Sequence, residues 1–217
     1  MFDAYGTLFD FNAAAARFEG ELGGKAARLS EIWRMKQLQY TWLRSLMDDY
    51  ADFWTVTGEA LDFALEAVAI EDEAIRGKLM NAYLTLDAYA EVPEMLQKLK
   101  SAGVQTAILS NGAPEMLKAA VEGAGIEALL DVTLSVEDVG IYKPHRSVYQ
   151  MAVDALGVGA ERISFQSANS WDAVGATHFG FRVAWCNRFG QPDEQLPARP
   201  DVQIESLAEL PPLLGIA

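Results

Sequence analysis

Cysteine, histidine and basic residues are scarce in this sequence. Its 217 residues include one cysteine, two histidines, and 17 lysines and arginines against 31 aspartates and glutamates, for a formal net charge of −14. With Cys186 alone no intrachain disulfide can form, and we expect a reducing, cytoplasmic setting. The negative field disfavours nucleic acid and anionic membranes as partners. If the ligand is itself an anion, a few local cations must hold it, so each arginine or lysine near a site is informative.

Long apolar runs are also missing. No stretch of roughly 18 apolar residues appears, so we expect no membrane span. The first residues lack a basic segment followed by an apolar stretch, and we expect no secretory signal. Only two residues precede Asp3, fewer than a buried strand normally uses, so we expect the numbered chain to start inside its first strand.

A helical pattern without any β-rich run extends from about residue 11 to residue 87. The clearest segment lies between residues 32 and 50, and residues 61–68 and 75–84 look similar. Apolar and aromatic residues recur there at helical spacing, at Trp33, Leu38, Trp42, Leu43 and Leu46. The spacing predicts several packed helices in this part of the chain.

From residue 91 onward, helical and strand patterns alternate. The predicted helices lie at 93–100, 115–122, 147–156, 172–178 and 207–214, and the predicted strands at 106–109, 132–136, 163–166, 182–186 and 202–204. Repeated βα units predict an α/β fold with a doubly wound parallel sheet. The helical block, residues 11–87, then forms a cap domain inserted after the first strand, and residues 1–10 and 88–217 form the core domain.

Polar residues collect where the predicted strands end. They are Asp3, Ser110-Asn111-Gly112, Tyr142-Lys143-Pro144, Ser167-Ala168-Asn169 and, just beyond, Asp172. In open α/β sheets, ligands bind at the carboxyl ends of the strands. One rim of the sheet is therefore expected to gather two carboxylates, a lysine, two serines and two asparagines, which a purely structural protein has little reason to do.

These segments resemble the four ordered motifs of the haloacid dehalogenase superfamily. Asp-Ala-Tyr-Gly-Thr-Leu from Asp3, Leu-Ser-Asn-Gly from Leu109, Tyr-Lys-Pro from Tyr142 and Ser-Ala-Asn-Ser-Trp-Asp from Ser167 stand in the order of that superfamily. Any one of the motifs alone would be a weak signal, but four in order, each after a predicted strand, are specific. The resemblance implies the fold inferred above from the pattern of helices and strands.

Tyr5 indicates the branch of the superfamily. Phosphatases of the superfamily carry Asp-x-Asp in the first motif, and the second Asp protonates an alkoxide leaving group. Here that position is Tyr5. Because a halide is a very weak base, it leaves without a proton and needs no such acid. The cap segments from Trp33 to Trp42 and from Tyr50 to Trp54 also resemble those of the L-2-haloacid dehalogenases.

This resemblance implies a metal-independent hydrolase acting on carbon–halide bonds, with no cofactor. It would convert short L-2-haloalkanoic acids to D-2-hydroxy acids with inversion, and its ligands would be the small halogenated acid and a halide ion. The resemblance also implies a homodimer whose interface is formed by helices. The alternatives are a Mg²⁺-dependent phosphatase of the same superfamily and a non-catalytic protein on this fold. The non-catalytic alternative is disfavoured because the sequence retains all of the charged and amide candidates together: Asp3, Arg34, Lys143, Asn169 and Asp172.

The family's motifs imply a role for each charged candidate. Asp3 would attack C2 of the substrate and form an ester, with Lys143 keeping it charged; a strand-end cap and a solvated lysine are the structural alternatives. Arg34 would grip the substrate anion or the departing halide, although it could be one charge on an exposed helix face. Arg44 is the weaker candidate for that role. Asp172 would act as a base, orient Lys143, or cap the following helix.

The uncharged candidates would position these groups and shape the pocket. Thr7, Ser110 and Asn111 would position Asp3 and the substrate carboxylate, and Ser167 and Asn169 would serve ester hydrolysis. The residues that we expect to contact or enclose the substrate, with a core position as the alternative, are Tyr149, Trp171, Tyr5, Leu38 and Phe53.

Two residues depart from the family's pattern, and three others match no catalytic motif. Gln166 stands where a small or apolar residue is expected, and Met35 where the family often has a polar one. Either change could alter substrate range or rate, but neither removes a catalytic group. His145, His178 and Cys186 match no catalytic motif.

Overall fold

A parallel β-sheet forms the centre of the computed structural model, which describes residues 1–11 and 16–216. Its strands are β1 (Ala107–Ser110), β2 (Val132–Ser135), β3 (Ser164–Ser167), β4 (Arg182–Cys186) and β5 (Val202–Ile204). Strand β1 pairs with β2, β3 with β4, and β4 with β5, all in parallel. This is the predicted parallel sheet, and each strand lies within one residue of its predicted position.

The first three residues join the two groups of strands. Phe2 forms parallel bridges to Ile108 of β1 and to Gln166 of β3. Its N–H donates to the Ala107 carbonyl at 2.8 Å, and the Asp3 N–H donates to the Gln166 carbonyl at 2.9 Å. The strand order is therefore β2–β1–(residues 1–3)–β3–β4–β5. The strands β1 and β2 are added on one side of residues 1–3 and the strands β3 to β5 on the other, so the strand order reverses at residues 1–3. Such a switch point is where doubly wound sheets bind ligands.

Helices fill the region between residues 19 and 84. They are α1 (Glu19–Leu22), α2 (Ala26–Leu46), α3 (Phe53–Ala67) and α4 (Glu73–Leu84). Asp52 caps α3 by accepting a hydrogen bond from the Thr55 N–H at 2.9 Å, which satisfies a donor that the first helical turn leaves free. The Trp33 indole N–H donates to the Thr57 carbonyl at 2.9 Å and ties α2 to α3.

Helix α2 ends earlier than the apolar spacing predicts. The pattern continues to residue 50, but the helix stops at Leu46. Asp48 adopts a left-handed conformation with φ of 55°, which a helix cannot continue through. Arg44 secures this end by pairing with Asp49 and Glu59, both at 2.9 Å. The weaker anion-binding candidate of the sequence is thus engaged in holding a helix end.

The remaining helices lie before β1 and after β1, β2, β3 and β5. They are α5 (Val92–Ser101), α6 (Pro114–Gly123), α7 (Arg146–Leu156), α8 (Ser170–Phe179) and α9 (Leu210–Leu213). Short 3-10 helices lie at Gly23–Lys25, Glu127–Leu129, Val136–Asp138, Ala160–Arg162 and Leu207–Glu209. The predicted helix at 207–214 is therefore a 3-10 turn followed by a single α-turn; Pro211 and Pro212, in that α-turn, have no N–H to donate.

Two adjacent connectors link the helical block to the sheet. The Tyr89 N–H donates to the Leu8 carbonyl at 2.9 Å, and the Asp10 N–H donates to the Asp87 carbonyl at 3.0 Å. We propose that the domains divide here, with residues 11–87 as the cap and 1–10 and 88–217 as the core; residues 12–15 and 217 lie outside the described part of the chain. Among the helices described, none has the length and apolar character needed to cross a membrane.

Candidate active site

Asp3 lies at the switch point of the sheet, and its carboxylate is surrounded by hydrogen-bond donors. Oδ2 accepts from Asn169 Nδ2 at 2.7 Å, from the Thr7 hydroxyl at 3.1 Å and from the Ser167 hydroxyl at 3.3 Å. Oδ1 faces Lys143 Nζ at 3.2 Å. The side chain is buried, so these four groups replace the water that would otherwise solvate its charge.

A second buried carboxylate holds Lys143 from the other side. Lys143 Nζ donates to Asp172 Oδ2 at 2.7 Å, and the Tyr149 hydroxyl donates to Asp172 Oδ1 at 2.8 Å. Lys143, Tyr149 and Asp172 are all fully buried. Both oxygens of Asp172 are therefore engaged, and its carboxylate does not cap helix α8 although it lies in the first turn.

Burial and charge act against each other in this group. Burial raises the pKa of Asp172 to about 6, although the neighbouring Lys143 ammonium opposes the rise. Burial alone would lower the pKa of Lys143, but the Asp172 and Asp3 carboxylates outweigh it and raise that pKa. Lys143 therefore stays cationic, and Asp172 is the group that changes charge in mildly acidic solution.

The turn after Asp3 and the start of α8 bring the donors together. Gly6 adopts φ of +86°, which favours glycine and lets the chain reverse so that Thr7 faces Asp3. The Thr7 hydroxyl in turn accepts from the Ala168 N–H at 2.8 Å. Asn169 precedes the first residue of α8, and its second amide hydrogen reaches the Tyr5 carbonyl at 3.1 Å. Local turn geometry at two chain positions far apart in sequence thus orients one carboxylate.

Arg34 reaches this site from helix α2. Its Nη2 donates to Asn169 Oδ1 at 2.9 Å, and its Nη1 donates to Gln37 Oε1 at 2.8 Å. Its guanidinium carbon lies 4.5 Å from the centre of the Phe11 ring, within the range of a cation–π contact. The helical block therefore delivers a fixed cation to the edge of the Asp3 site.

A cleft of about 570 Å³ opens between α2 and the ends of the strands. Its lining includes Phe11, Arg34, Leu38, Asn169, Trp171 and Phe189. Asp193 and Glu194 also line it, and the Ser170 hydroxyl donates to Glu194 Oε1 at 2.6 Å. Arg34 is the one arginine among the described residues that line the cleft, whose walls also carry apolar side chains. The cleft is large enough for a small organic acid.

Two of the residues expected around the substrate lie in the aromatic core. The Tyr5 ring centre is 5.8 Å from that of Phe53 and 5.6 Å from that of Tyr83. A Cβ added at Gly112 would lie 2.7 Å from the Tyr5 ring, so the glycine of the second motif makes room for this side chain. Tyr5 and Phe53 are buried and do not line the cleft, whereas Leu38 and Trp171 do.

Three further candidates form hydrogen bonds with residues other than Asp3. Asn111 Oδ1 accepts from the Lys143 N–H at 3.0 Å, and the Ser110 hydroxyl accepts from the Gly112 N–H at 3.0 Å. Tyr149 contacts Asp172, as described above. The structure thus brings Asp3, Thr7, Lys143, Ser167, Asn169, Asp172 and Arg34 into one network and places Ser110, Asn111 and Tyr149 behind it.

Three residues without a motif also belong to the site's surroundings. The Phe11 ring lies against the Arg34 guanidinium, and Gln37 accepts a hydrogen bond from Arg34. Arg188 Nη2 donates to the Thr7 carbonyl at 2.9 Å. Gln37 follows Arg34 by three residues, so helical spacing alone could have paired them. Arg188 and Thr7 are 181 residues apart, and no local signal links them.

The residues that depart from the family's pattern lie outside this network. Gln166 is buried, and its side-chain amide donates to the Ser164 hydroxyl at 2.6 Å. Met35 is 53% exposed.

Two of the residues that match no catalytic motif also have structural surroundings. Cys186 is buried, and burial raises its pKa to about 11, which disfavours the reactive thiolate. His145 caps helix α7 by accepting from the Ser147 N–H.

Known proteins resemble this chain over nearly its whole length. Residues 1–180 match the family model of the haloacid dehalogenase-like hydrolases. The (S)-2-haloacid dehalogenase 4A of Burkholderia cepacia is 48% identical over 216 residues, which cover 99% of this chain and 94% of that protein. The (S)-2-haloacid dehalogenase 1 of Pseudomonas sp. strain CBS-3 is 46% identical over 99% of this chain and 95% of its own length.

A solved structure shows the same likeness in three dimensions. The L-2-haloacid dehalogenase of Xanthobacter autotrophicus, with chloropropionic acid covalently bound, superimposes with a TM-score of 0.92 at 36% identity and covers 99% of this chain and 96% of that one. The chain therefore belongs to the haloacid dehalogenase-like hydrolases and, within them, to the family of the (S)-2-haloacid dehalogenases. The family predicted from the motifs and the fold class predicted from the alternating helices and strands are both confirmed.

Proposed function

We propose that this protein hydrolyses short (S)-2-haloalkanoic acids, the L enantiomers, to (R)-2-hydroxy acids and halide through an ester on Asp3. The observation that carries the proposal is the state of Asp3: a buried carboxylate held by Lys143 and three donors, with no acid two residues further on. Such a group suits displacement of a leaving group that needs no proton. The relatives that match this chain over nearly their full length include two (S)-2-haloacid dehalogenases.

In the first half-reaction, one oxygen of Asp3 attacks C2 of the substrate opposite the halogen. A C–O bond forms, the C–halogen bond breaks, and the halide leaves with the electron pair. Arg34, at the cleft wall, is the cation that binds the substrate carboxylate or the departing halide. Leu38 and Trp171 provide apolar contacts for the alkyl group.

In the second half-reaction, water attacks the carbonyl carbon of the ester. The groups that now hold Asp3 Oδ2 (Thr7, Ser167 and Asn169) are the donors available to the oxyanion that forms there. Because the C2–O bond made in the first step is not broken, the single displacement inverts C2. The acyl C–O bond of the ester breaks instead. One proton of the water passes to the alkoxide oxygen of the departing 2-hydroxy acid, the other is released, and one oxygen from water remains on Asp3.

We assign Asp172 the task of orienting Lys143. One of its oxygens accepts from Lys143 and the other from Tyr149, which fixes the carboxylate beside the Lys143 ammonium. Lys143 in turn fixes Asp3 and balances its charge. The network is then an alternating array of two carboxylates and one ammonium.

The Mg²⁺-dependent phosphatase alternative does not fit the groups around Asp3. A magnesium ion prefers oxygen ligands in octahedral geometry. Oδ2 of Asp3 meets three hydrogen-bond donors instead, and Oδ1 meets the ammonium of Lys143. Tyr5, which replaces the phosphatase acid, is buried in the core.

The decisive experiment measures halide release from each enantiomer of 2-chloropropionate, with and without EDTA. We expect turnover of the S enantiomer alone, at a rate that EDTA does not change, and an R hydroxy acid as the product. A single turnover in ¹⁸O-labelled water should place the label in the peptide that contains Asp3. Equal reaction of both enantiomers, label in the product alone, or EDTA-sensitive hydrolysis of aryl phosphates would contradict the proposal.

A homodimer in the cytoplasm is part of the same proposal. Support for the dimer comes from the end of α2, where Leu43, Leu46 and Met47 expose large apolar side chains. Exposed apolar groups so close together are typical of surfaces that a partner covers. Support for the location is the single, buried cysteine.

A further inference from the structure

We infer that Gln37 is a positioning residue: it orients Arg34 and, through Arg34, the side-chain amide of Asn169 that faces Asp3. The inference rests on the proposed function, in which Arg34 binds an anion and Asn169 serves the Asp3 ester. It assigns a task to two residues of the helical block, Gln37 and Thr57, that do not contact Asp3.

The side-chain amide of Gln37 is fully buried, and both its nitrogen and its oxygen are hydrogen-bonded. Its Nε2 donates to the Thr57 hydroxyl oxygen at 2.8 Å, and its Oε1 accepts from Arg34 Nη1 at 2.8 Å and from the Tyr83 hydroxyl at 3.1 Å. Buried amides are costly unless they are hydrogen-bonded, and this one is bonded in a single pattern.

Thr57 and Arg34 require the same orientation of the Gln37 amide. The Thr57 hydroxyl has one proton, and it donates that proton to the Phe53 carbonyl at 2.6 Å. Its oxygen can then only accept from Gln37, so the NH₂ group must face Thr57. The carbonyl end of the amide consequently faces Arg34, which as a guanidinium can only donate.

The same polarity continues from Arg34 to the nucleophile. Arg34 Nη2 donates to Asn169 Oδ1 at 2.9 Å, which leaves the NH₂ group of Asn169 for Asp3 Oδ2 at 2.7 Å. With its amide reversed, Asn169 would present a carbonyl oxygen to the Asp3 carboxylate and an NH₂ group to Arg34. The bonds from Gln37 to Asp3 therefore agree in direction with Arg34, which can only donate, and with the Asp3 carboxylate, which can only accept.

This relay predicts a kinetic effect that buried packing alone would not produce. If Gln37 and Thr57 only stabilise the fold, their loss lowers the melting temperature and leaves the active enzyme as it was. If they orient Arg34 and Asn169, their loss weakens anion binding and slows turnover of the folded enzyme.

Thr57→Val is the sharpest test because valine has the shape of threonine and lacks the hydroxyl. The Gln37 NH₂ group then loses the acceptor that holds it, and the amide is less firmly fixed against Arg34. We expect kcat/KM for (S)-2-chloropropionate to fall, and the Kd of bromide to rise, by about tenfold each, the scale of one hydrogen bond to a charged group. Thr57→Ser keeps the hydroxyl and should restore both values.

Gln37→Leu removes the acceptor itself, and we expect losses of about ten- to a hundredfold in the same two quantities. Because Thr57 acts through Gln37, adding Thr57→Val to Gln37→Leu should cause no further loss. Two control variants lie in α2. Thr41→Val removes a buried hydroxyl that is bonded to the Leu38 carbonyl, and Gln39→Leu removes an exposed amide. Both controls should leave kcat/KM and bromide binding unchanged.

Kinetics and bromide calorimetry on the same purified enzymes decide between the outcomes. The relay is overturned if Thr57→Val and Gln37→Leu stay within twofold of the wild type, if Thr57→Ser behaves like Thr57→Val, or if the two changes multiply. Wild-type enzyme without halide release contradicts the proposed function instead. In that case calorimetry decides alone: unchanged bromide affinity in Thr57→Val overturns the relay, and weakened affinity supports it.

Discussion

The Asp3 carboxylate is held in one orientation by hydrogen-bond donors on both of its oxygens. Three neutral donors meet Oδ2 and a buried ammonium meets Oδ1. In the proposed role of nucleophile, a carboxylate arranged in this way loses little freedom when the substrate arrives, because its partners are already in place. The same donors can serve the negative charge that appears later on the ester carbonyl.

Asp3→Asn tests the nucleophile directly. An amide cannot form the ester, and we expect halide release to fall by about 10⁴-fold or more, as for other enzymes that lose their nucleophile. Halide release from (S)-2-chloropropionate is the measurement, and Asp138→Asn, at an exposed position, is the matched control. Retention of more than one per cent of the wild-type rate in freshly prepared Asp3→Asn would rule out Asp3 as the nucleophile.

The charge of Asp172 should set the acid limit of activity. Lys143 is oriented by the ionised form of Asp172, whose pKa burial raises to about 6. Activity should therefore be full above this pKa and decline as pH falls through it, which the pH dependence of kcat/KM reports.

Tyr149→Phe removes a donor that stabilises the ionised form of Asp172. The pKa of Asp172 should rise further, and the acid limb of the kcat/KM profile should move to higher pH. Phe179 packs against Tyr149 without contacting Asp172 by a hydrogen bond, so Phe179→Leu serves as a control for disturbed packing. An acid limb at the same pH in Tyr149→Phe and the wild type would show that Asp172 does not set it.

At the scale of secondary-structure elements, Arg188 joins three parts of the chain. It follows β4, donates to the Thr7 carbonyl in the first connector, pairs with Glu91 at the start of α5, and lies 3.9 Å from the Tyr89 ring centre in the second connector. Its side chain is only 10% exposed. One guanidinium thus fastens both connectors of the helical block to the sheet.

Arg188→Met should weaken this junction. The change leaves Glu91 largely buried without its partner and removes the contact with Tyr89, so we expect the free energy of unfolding to fall by about 2 kcal/mol. The melting temperature should drop by roughly 4–8 °C for a chain of this size. Arg182→Met, at an exposed position on β4, should change it by less than about 2 °C. Equal melting temperatures for the two variants would contradict the role of Arg188.

At the scale of the whole molecule, the net charge of −14 opposes an anionic substrate. Screening by salt should reduce this repulsion more than it reduces the close contact with Arg34. We expect kcat/KM for (S)-2-chloropropionate to rise about twofold between 10 and 150 mM ionic strength. Sodium sulfate is the suitable salt, because chloride would compete as a product. A kcat/KM that falls over this range would show that attraction by local cations dominates.

The exposed apolar end of α2 predicts the oligomeric state. Leu46 is 82% exposed, and Leu46→Glu should disfavour a dimer that buries this end. Sedimentation should give twice the chain mass of 23.7 kDa for the wild type and a shift toward the monomer for the variant. Leu213→Glu, on α9, is the control. A wild-type monomer at micromolar concentration would contradict the proposed homodimer.

Much of the fold could be predicted because its signals are local. Apolar periodicity predicts the helices and strands, and the polar residues at the ends of the predicted strands indicate the motifs. The end of α2 was misplaced because the apolar pattern runs past Leu46, where Asp48 turns the chain away. Tyr5 and Phe53 were placed at the pocket because an aromatic residue near a motif has the same pattern whether its neighbour is a ligand or Tyr83.

The sequence by itself determined the family and the chemistry, since Asp3, Lys143 and the absence of a second acid are properties of short, ordered segments. Only the tertiary structure decided how the polar groups face one another. Arg188 meets Thr7, and Gln37 meets Thr57, through packing between distant elements. The direction of a hydrogen bond depends on which atoms are brought within about 3 Å of each other, and no spacing along the chain determines that.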